Sequence, residues 1–372
     1  MSAISKNRQA RVDTSIHNLR KHLASPSTPE YLRRDLDELA EELGRRLGLV
    51  YEDHTEPSEQ AATLGMACLV EQQELRLGSH ARVNDLIQGE NLVVLSLLAR
   101  SHAGCVDVCC IDPPYNTGMQ NLGYRDHEHL GDGDRCPHSG WLSFMAKRLR
   151  LAHTLLSTSG VLFIHVDEHE ASTSMLLCAQ IFGEENVDVL VWPKTDPRFD
   201  QNRVEKPFRT IKLVHEYVIA CYKDRQRVSL NKVQRTTLVD GRWEEVPNDL
   251  DSIVGGWGTT SSAKDELAAV FGDRTRFQTP KPMRLIKEFV RAASRRDSIV
   301  LDFFAGSGTT GHAVMDLNQE DGGERTFILV NNNENDICRQ ITYERLKTAF
   351  QRQGYRESLR YLTLQVEGGT VG

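Results

Sequence analysis

From about residue 80 to about residue 350, short apolar runs alternate with longer stretches of helical periodicity. The runs "CVDVCCI", "GVLFIHVDE", "VDVLVW", "HEYVIACYK", "SIVLDFF" and "TFILV" show little polar–apolar alternation, as expected of strands buried on both faces. Between them, "NLVVLSLLARS", "WLSFMAKRLRLAHTLL", "SMLLCAQIFG", "SAKDELAAVFG", "TPKPMRLIKEFVRAAS" and "DICRQITYERLKTAF" gather apolar residues on one helical face. Strand–helix alternation of this kind predicts an α/β fold on a largely parallel sheet.

The pattern changes at both ends and once in the middle. Residues 1–65 read as a polar helical extension, with Leu36, Leu39, Leu43 and Leu47 on one stripe, suited to packing or to pairing two copies. Between Lys223 and about Gly256 the periodicity is lost. Residues 357–372 read as a C-terminal tail.

Composition narrows the class. The chain has 372 residues, a formal net charge of −7 and 26% charged residues, which fits a globular protein and argues against an all-over basic coat. No apolar run approaches the roughly 20 residues that span a bilayer, and the N-terminus lacks a secretory apolar core. Of the eight cysteines, Cys105, Cys109 and Cys110 crowd one strand as small hydrophobes, the usage of a reducing compartment. A cytoplasmic protein with no membrane partner is expected.

Two strand ends carry candidate chemistry. "VLDFFAGSGTTGHAV" takes a strand into Asp302, a turn with Gly306, Gly308 and Gly311, and then a helix. Glycines let a ligand approach the backbone, and the helix start favours an anionic group. Many nucleotide folds share this arrangement, and the Lys-Ser/Thr of a phosphate-binding loop is absent. At the other strand end, "VCCIDPPYNTG" runs an apolar strand into Asp112-Pro113-Pro114-Tyr115. A rigid turn capped by Asp is one reading.

The other reading is a cradle for the exocyclic amine of a base. Such a nitrogen is planar, and its lone pair is delocalised into the ring. The Asp112 carboxylate and the Pro113 carbonyl could each accept one N–H and stabilise charge where it develops. The prolines fix φ and remove competing donors, while the Tyr115 face suits stacking of a flipped base.

Seven segments in unbroken order, "IDPPYNTG", "WLSFMAKRL", "LSTSGVLFIHVDE", "IFGEENVDVLVW", "TPKPMRLI", "VLDFFAGSGTT" and "RTFILVNNNEN…TYERLK", resemble the successive motifs of amino-methylating DNA methyltransferases. The likeness is to the β-class, which includes the modification subunits of type III restriction-modification systems. It implies a circularly permuted, Rossmann-like, S-adenosylmethionine-dependent fold: a mostly parallel seven-stranded sheet with one antiparallel strand. The catalytic half is expected at 66–193 and the cofactor half at 257–356. A target-recognition region lies between them at 194–256, its strand near 215–222 returning to the sheet.

The resemblance also implies roles. S-adenosyl-L-methionine is the methyl donor, with Asp302, Phe303, Gly306, Ser307, Gly308, Thr309 and Thr310 at its methionine end. Lys281 and Pro282 form a cofactor-side motif. Glu90, in "QGEN", either contacts the cofactor's adenine or caps a helix. Asn331 stands where many relatives place an acid on the ribose hydroxyls, and Asn accepts such a bond without charge. Asp112, Pro113, Pro114 and Tyr115 are the catalytic set, and an initial Asp favours adenine N6 over cytosine N4. A non-catalytic DNA-binding scaffold that keeps the fold is the reading from another class.

Methyl transfer from a sulfonium needs no metal. His127, His129, Cys136 and His138 share one loop, but their spacing matches no common zinc signature, and no metal is expected. The resemblance implies double-stranded DNA as the partner, with Asn116, Tyr124, Lys194, Arg198, Arg203, Lys206, Arg225, Arg227 and Arg235 as the expected contacts. The short recognition region admits a short target sequence or help from a second chain, either a copy of this one or a restriction or defence-system subunit.

Overall fold

The computed structural model describes residues 49, 51, 53–56, 58–59, 67–117, 137–195, 211 and 213–366. The chain divides into two compact units, Met1–Glu52 and Asp53–Gly372. The expected N-terminal helices, and the candidates Tyr124, His127, His129, Cys136, Arg198, Arg203 and Lys206, lie outside the described residues.

In chain order the described elements of the second unit begin with β1 (Ala67–Glu71), β2 (Val83–Gln88), α1 (Asn91–Ser101), β3 (Val106–Ile111), α2 (Pro137–Leu155) and β4 (Leu156–Val166). There follow α3 (Ala171–Phe182), β5 (Val187–Trp192), β6 (Glu216–Tyr222), β7 (Val233–Val239), β8 (Arg242–Asn248), α4 (Thr260–Phe271) and α5 (Met283–Ala293). The chain continues through β9 (Ile299–Asp302), α6 (Thr309–Asp321), β10 (Thr326–Asn331), α7 (Glu344–Gln353) and β11 (Ser358–Val366).

Nine strands form one sheet in the order β1-β11-β2-β10-β9-β3-β4-β6-β5. From β2 to β5 this is the expected seven-stranded set: β2, β10, β9, β3 and β4 run parallel, and β6 is antiparallel to both β4 and β5. The permutation is visible in the pairing, since β10, late in the chain, lies between β2 and β9.

The sheet extends further than expected. β11 pairs parallel with β2, and β1 antiparallel with β11, so 358–366 is a strand and not a tail. Its alternation buries Leu359 and Tyr361 and turns Arg360 onto Asp85 of the neighbouring strand, at 2.8 and 2.9 Å. The aperiodic stretch also holds structure: β7 and β8 form a hairpin around Asp240-Gly241, both at positive φ. Asp-Gly supplies the two left-handed residues that such a two-residue turn requires.

Helices α1, α2 and α3 pack on one another, and α5, α6 and α7 form a second group. β3 is buried at every position, which explains its mostly apolar run, broken only by Asp107. Phe163 of β4 stacks on Phe289 of α5 at 4.7 Å between centroids. Burial raises the Cys109 and Cys110 thiols well above the ordinary range, so both are inert core residues. Among the described residues, no helix is long and apolar enough to cross a membrane.

Candidate active site

β3 and β9 lie side by side, with Cys109 opposite Leu301. From β9 the chain builds outward through β10, and from β3 it builds the other way through β4. The crevice beyond such a divergence is where open α/β sheets bind ligands. Asp302 ends β9, and Asp112 follows directly after β3.

The turn after β3 is held at several points. Trp141 of α2 donates its indole N–H to the Pro114 carbonyl at 2.7 Å. Asn116 takes a left-handed φ of 59° and gives its amide to Glu170 Oε1 at 2.7 Å. Asn116, expected on the DNA side, is buried at 8% exposure. The Tyr115 hydroxyl donates to Asp112 Oδ1 at 2.6 Å.

Lys281, expected on the cofactor side, meets this turn directly. Its ammonium lies 2.8 Å from both Asp112 oxygens and donates to the Tyr115 hydroxyl at 2.7 Å, with the residue only 7% exposed. Glu216 of β6 completes the cluster. Its carboxylate lies 3.5 Å from the Lys281 ammonium, 3.4 Å from that of Lys194 and 3.2 Å from the Tyr115 hydroxyl. His165 lies beneath, fully buried, and desolvation together with the nearby Lys281 charge lowers it to about 3, so it stays neutral.

The glycine turn sits across the crevice. Asp302 accepts from Thr310 Oγ1 at 2.6 Å and from the Phe304 amide at 3.0 Å. Burial outweighs both bonds, and the Asp112 charge adds to it, pushing Asp302 up to about 7. Gly306 and Gly308 hold φ of 48° and 76°, and a Cβ on Gly308 would come within 3.1 Å of Thr342, so a side chain there would be strained twice over. Arg345, buried, binds Ser307 Oγ at 3.1 Å and Thr309 Oγ1 at 2.8 Å from below, and its desolvation lowers it to about 10. Phe303 is buried, and Pro282 precedes α5 as its N-cap.

Asn331 ends β10 and gives its side-chain amide to the Gly306 carbonyl and to Thr342 Oγ1, both at 3.0 Å. Both amide hydrogens thus hold the turn, and the side-chain oxygen is what remains for a ligand hydroxyl. Glu90 caps α1 through the Val93 amide at 3.1 Å and pairs with buried Arg148 at 2.7 Å. In the structure it serves as a helix cap and ion-pair partner.

Among the described residues, the cations expected at DNA are paired with acids of the protein. Arg225 pairs with Asp188 at 2.8 Å, Arg227 with Asp224 at 3.1 Å and Arg235 with Asp251 at 2.8 Å, while Lys194 faces Glu216. His138, from the loop considered for zinc, bonds Glu170 at 2.8 Å.

Glu216, Trp141, Arg345 and Thr342 were not picked out from the sequence. Glu216 had a signal, an acid opening the apolar run "HEYVIACYK". Because β6 is antiparallel, its first residue lies beside the last residues of β4, at the ligand-binding edge.

Residues 106–343 match the N6/N4 methyltransferase family, described as DNA methylase. The chain is 28% identical to the Mod subunit of the type III restriction-modification enzyme StyLTI from Salmonella typhimurium, over 80% of this chain and 59% of the relative. It is 26% identical to the EcoPI Mod subunit from Escherichia phage P1, over 68% and 58%. With the type II methyltransferase M.KpnI from Klebsiella pneumoniae it shares 26% identity over 69% of this chain and 82% of that one. The chain thus spans a little under three fifths of the two Mod subunits.

Proposed function

Since the chain belongs to the N6/N4 DNA methylase family, we propose that it methylates an exocyclic amine, adenine N6, of a base flipped from duplex DNA. S-adenosyl-L-methionine is the proposed donor, and when bound it supplies an electrophilic methyl group on a sulfonium sulfur. The residues around the glycine turn fit it. Gly306 and Gly308 hold left-handed φ that a side chain would strain, α6 begins directly beyond them, and a buried carboxylate poised near 7 suits a cationic ligand. Phe303, Ser307, Thr309, Thr310 and Pro282 frame that side, and Asn331 offers one oxygen to a ribose hydroxyl. Glu90 could accept from the cofactor's adenine beside its bonds to Val93 and Arg148, since each carboxylate oxygen takes more than one donor.

Asp112 accepts one N–H of the target amine and the Pro113 carbonyl accepts the other, drawing the nitrogen from planar towards tetrahedral. The lone pair so exposed would form the new N–C bond as the methyl–sulfur bond breaks and its electron pair returns to sulfur. Asp112 would then stabilise the positive charge on that nitrogen until the surplus proton passes to water. Tyr115 offers its ring to the base. Target reading falls to 194–256, with a second chain, a copy or a restriction subunit, supplying what this short region lacks.

The single observation carrying this reading is that Asp302, the last residue of β9, and Asp112, directly after β3, lie at the same ends of two adjacent parallel strands. The initial Asp of the motif favours adenine. The test is transfer of tritium from labelled donor to plasmid DNA grown without methylation, followed by digestion to nucleosides. Label in N6-methyladenine supports the proposal, label in N4-methylcytosine changes the base, and unlabelled DNA refutes it.

A further inference from the structure

The acceptor expected for the target amine already holds an amine. Lys281 lies on both oxygens of Asp112 at 2.8 Å and on the Tyr115 hydroxyl at 2.7 Å. These are the positions from which a base N–H would have to donate. An ammonium there is no bystander ion pair: with the Tyr115 hydroxyl it fills three of the roughly four acceptor sites on the carboxylate, so the target amine must compete with it for Asp112.

Movement into water is disfavoured, since Lys281 is 7% exposed and a buried ammonium without a carboxylate is strongly destabilised. A second carboxylate stands within reach: Glu216, 8% exposed and 3.5 Å away. The transfer chemistry gives Glu216 no other task. The Tyr115 hydroxyl spans both acids, at 2.6 Å from Asp112 and 3.2 Å from Glu216, and has one proton to give. The Lys281 carbonyl accepts from Thr309 Oγ1 at 3.4 Å, so its backbone is tied to the glycine turn while the side chain swings.

We propose that Lys281 is a gate and positioning residue. It occupies Asp112 in the free protein and passes to Glu216, with the Tyr115 proton following, when the target amine arrives. The charge count permits the exchange: Asp112, Glu216, Lys194 and Lys281 balance before it, and a neutral amine leaves them balanced after it. The gate rests on the methyltransferase reading.

The test is a double-mutant cycle in steady-state transfer to unmethylated plasmid DNA, with kcat and KM for DNA separated. In the wild-type background Glu216→Gln lowers kcat at least about tenfold, because the lysine has nowhere to go. Lys281→Met lowers KM for DNA several-fold, and in its background Glu216→Gln costs less than about twofold. Equal losses from Glu216→Gln in both backgrounds, or a raised KM in Lys281→Met, would overturn the gate. Lys281→Arg covers the case of a poorly folding methionine variant. Its two-pronged guanidinium locks onto Asp112 and lowers kcat about tenfold or more, and kcat kept within about twofold would equally overturn the proposal. Wild type that labels no DNA removes both the reading and the gate, whereas a labelling wild type with additive losses removes the gate alone.

Discussion

Two residues set the chemical character of the crevice without touching a base. Trp141 fixes the carbonyl of Pro114 and so the direction in which Asp112 points. Trp141→Phe keeps the aromatic packing and deletes one hydrogen bond, for a predicted cost of about 1 kcal/mol in denaturant unfolding. Its effect on kcat should be larger, about tenfold, because a turn shifted by a fraction of an ångström misplaces the acceptor. Asp302 makes a prediction about pH. Burial raises it from 3.8 to about 7, so the folded state holds its proton more tightly than the unfolded chain does. Its contribution to stability is complete below its ordinary value and declines as pH rises through about 7. A cationic cofactor favours the ionised form, so its affinity should strengthen with pH up to about 7 and its binding should release protons below that. Calorimetry in two buffers of different ionisation enthalpy measures this, and Asp302→Asn should abolish the proton release.

The elements differed in how legible they were. β3, β4, β9 and β10 are largely buried, and their mostly apolar runs announced them, as the proline turn announced the end of β3. The β7–β8 hairpin did not stand out, because Thr236, Thr237, Glu244 and Glu245 face solvent and few apolar residues alternate with them. Its one strong cue was Asp240-Gly241, with φ of 49° and 80°. β11 was hidden for another reason: it lies beyond the seven strands the motif order accounts for, and only its pairing with β2 gives its alternation a meaning. The lysine gate was illegible because Asp112, Glu216 and Lys281 come from three distant segments that meet only when the sheet forms. Gly241→Ala meets no neighbour and costs backbone strain alone, about 1 kcal/mol. Hydrogen exchange in 233–248 should rise about fivefold while the melting temperature holds. Loss of global stability would show that the hairpin is part of the cooperative core.

For the whole molecule, a net charge of −7 leaves DNA affinity to local cations. Arg225, Arg227 and Arg235 already serve acids of the protein. Arg198, Arg203 and Lys206 are the candidates from sequence for binding phosphates. Replacing these three with alanine should reduce the salt dependence of DNA binding by about 0.9 units of log K per log salt for each phosphate left without its cation. Replacing Arg225 and Arg235 should leave that slope unchanged. A reversed pattern would move the phosphate track to the hairpin side.

The permuted order brings two strand ends from opposite halves of the chain to one crevice, and a ligand that spans both is the sharpest probe of it. Adenosine joined through N6 to the sulfonium position of an S-adenosylmethionine analogue should bind at least about 100-fold more tightly than either half, and Asp112→Asn should erase that advantage. A joined compound that binds no better than its cofactor half would place amine and methyl donor in separate sites and contradict the account.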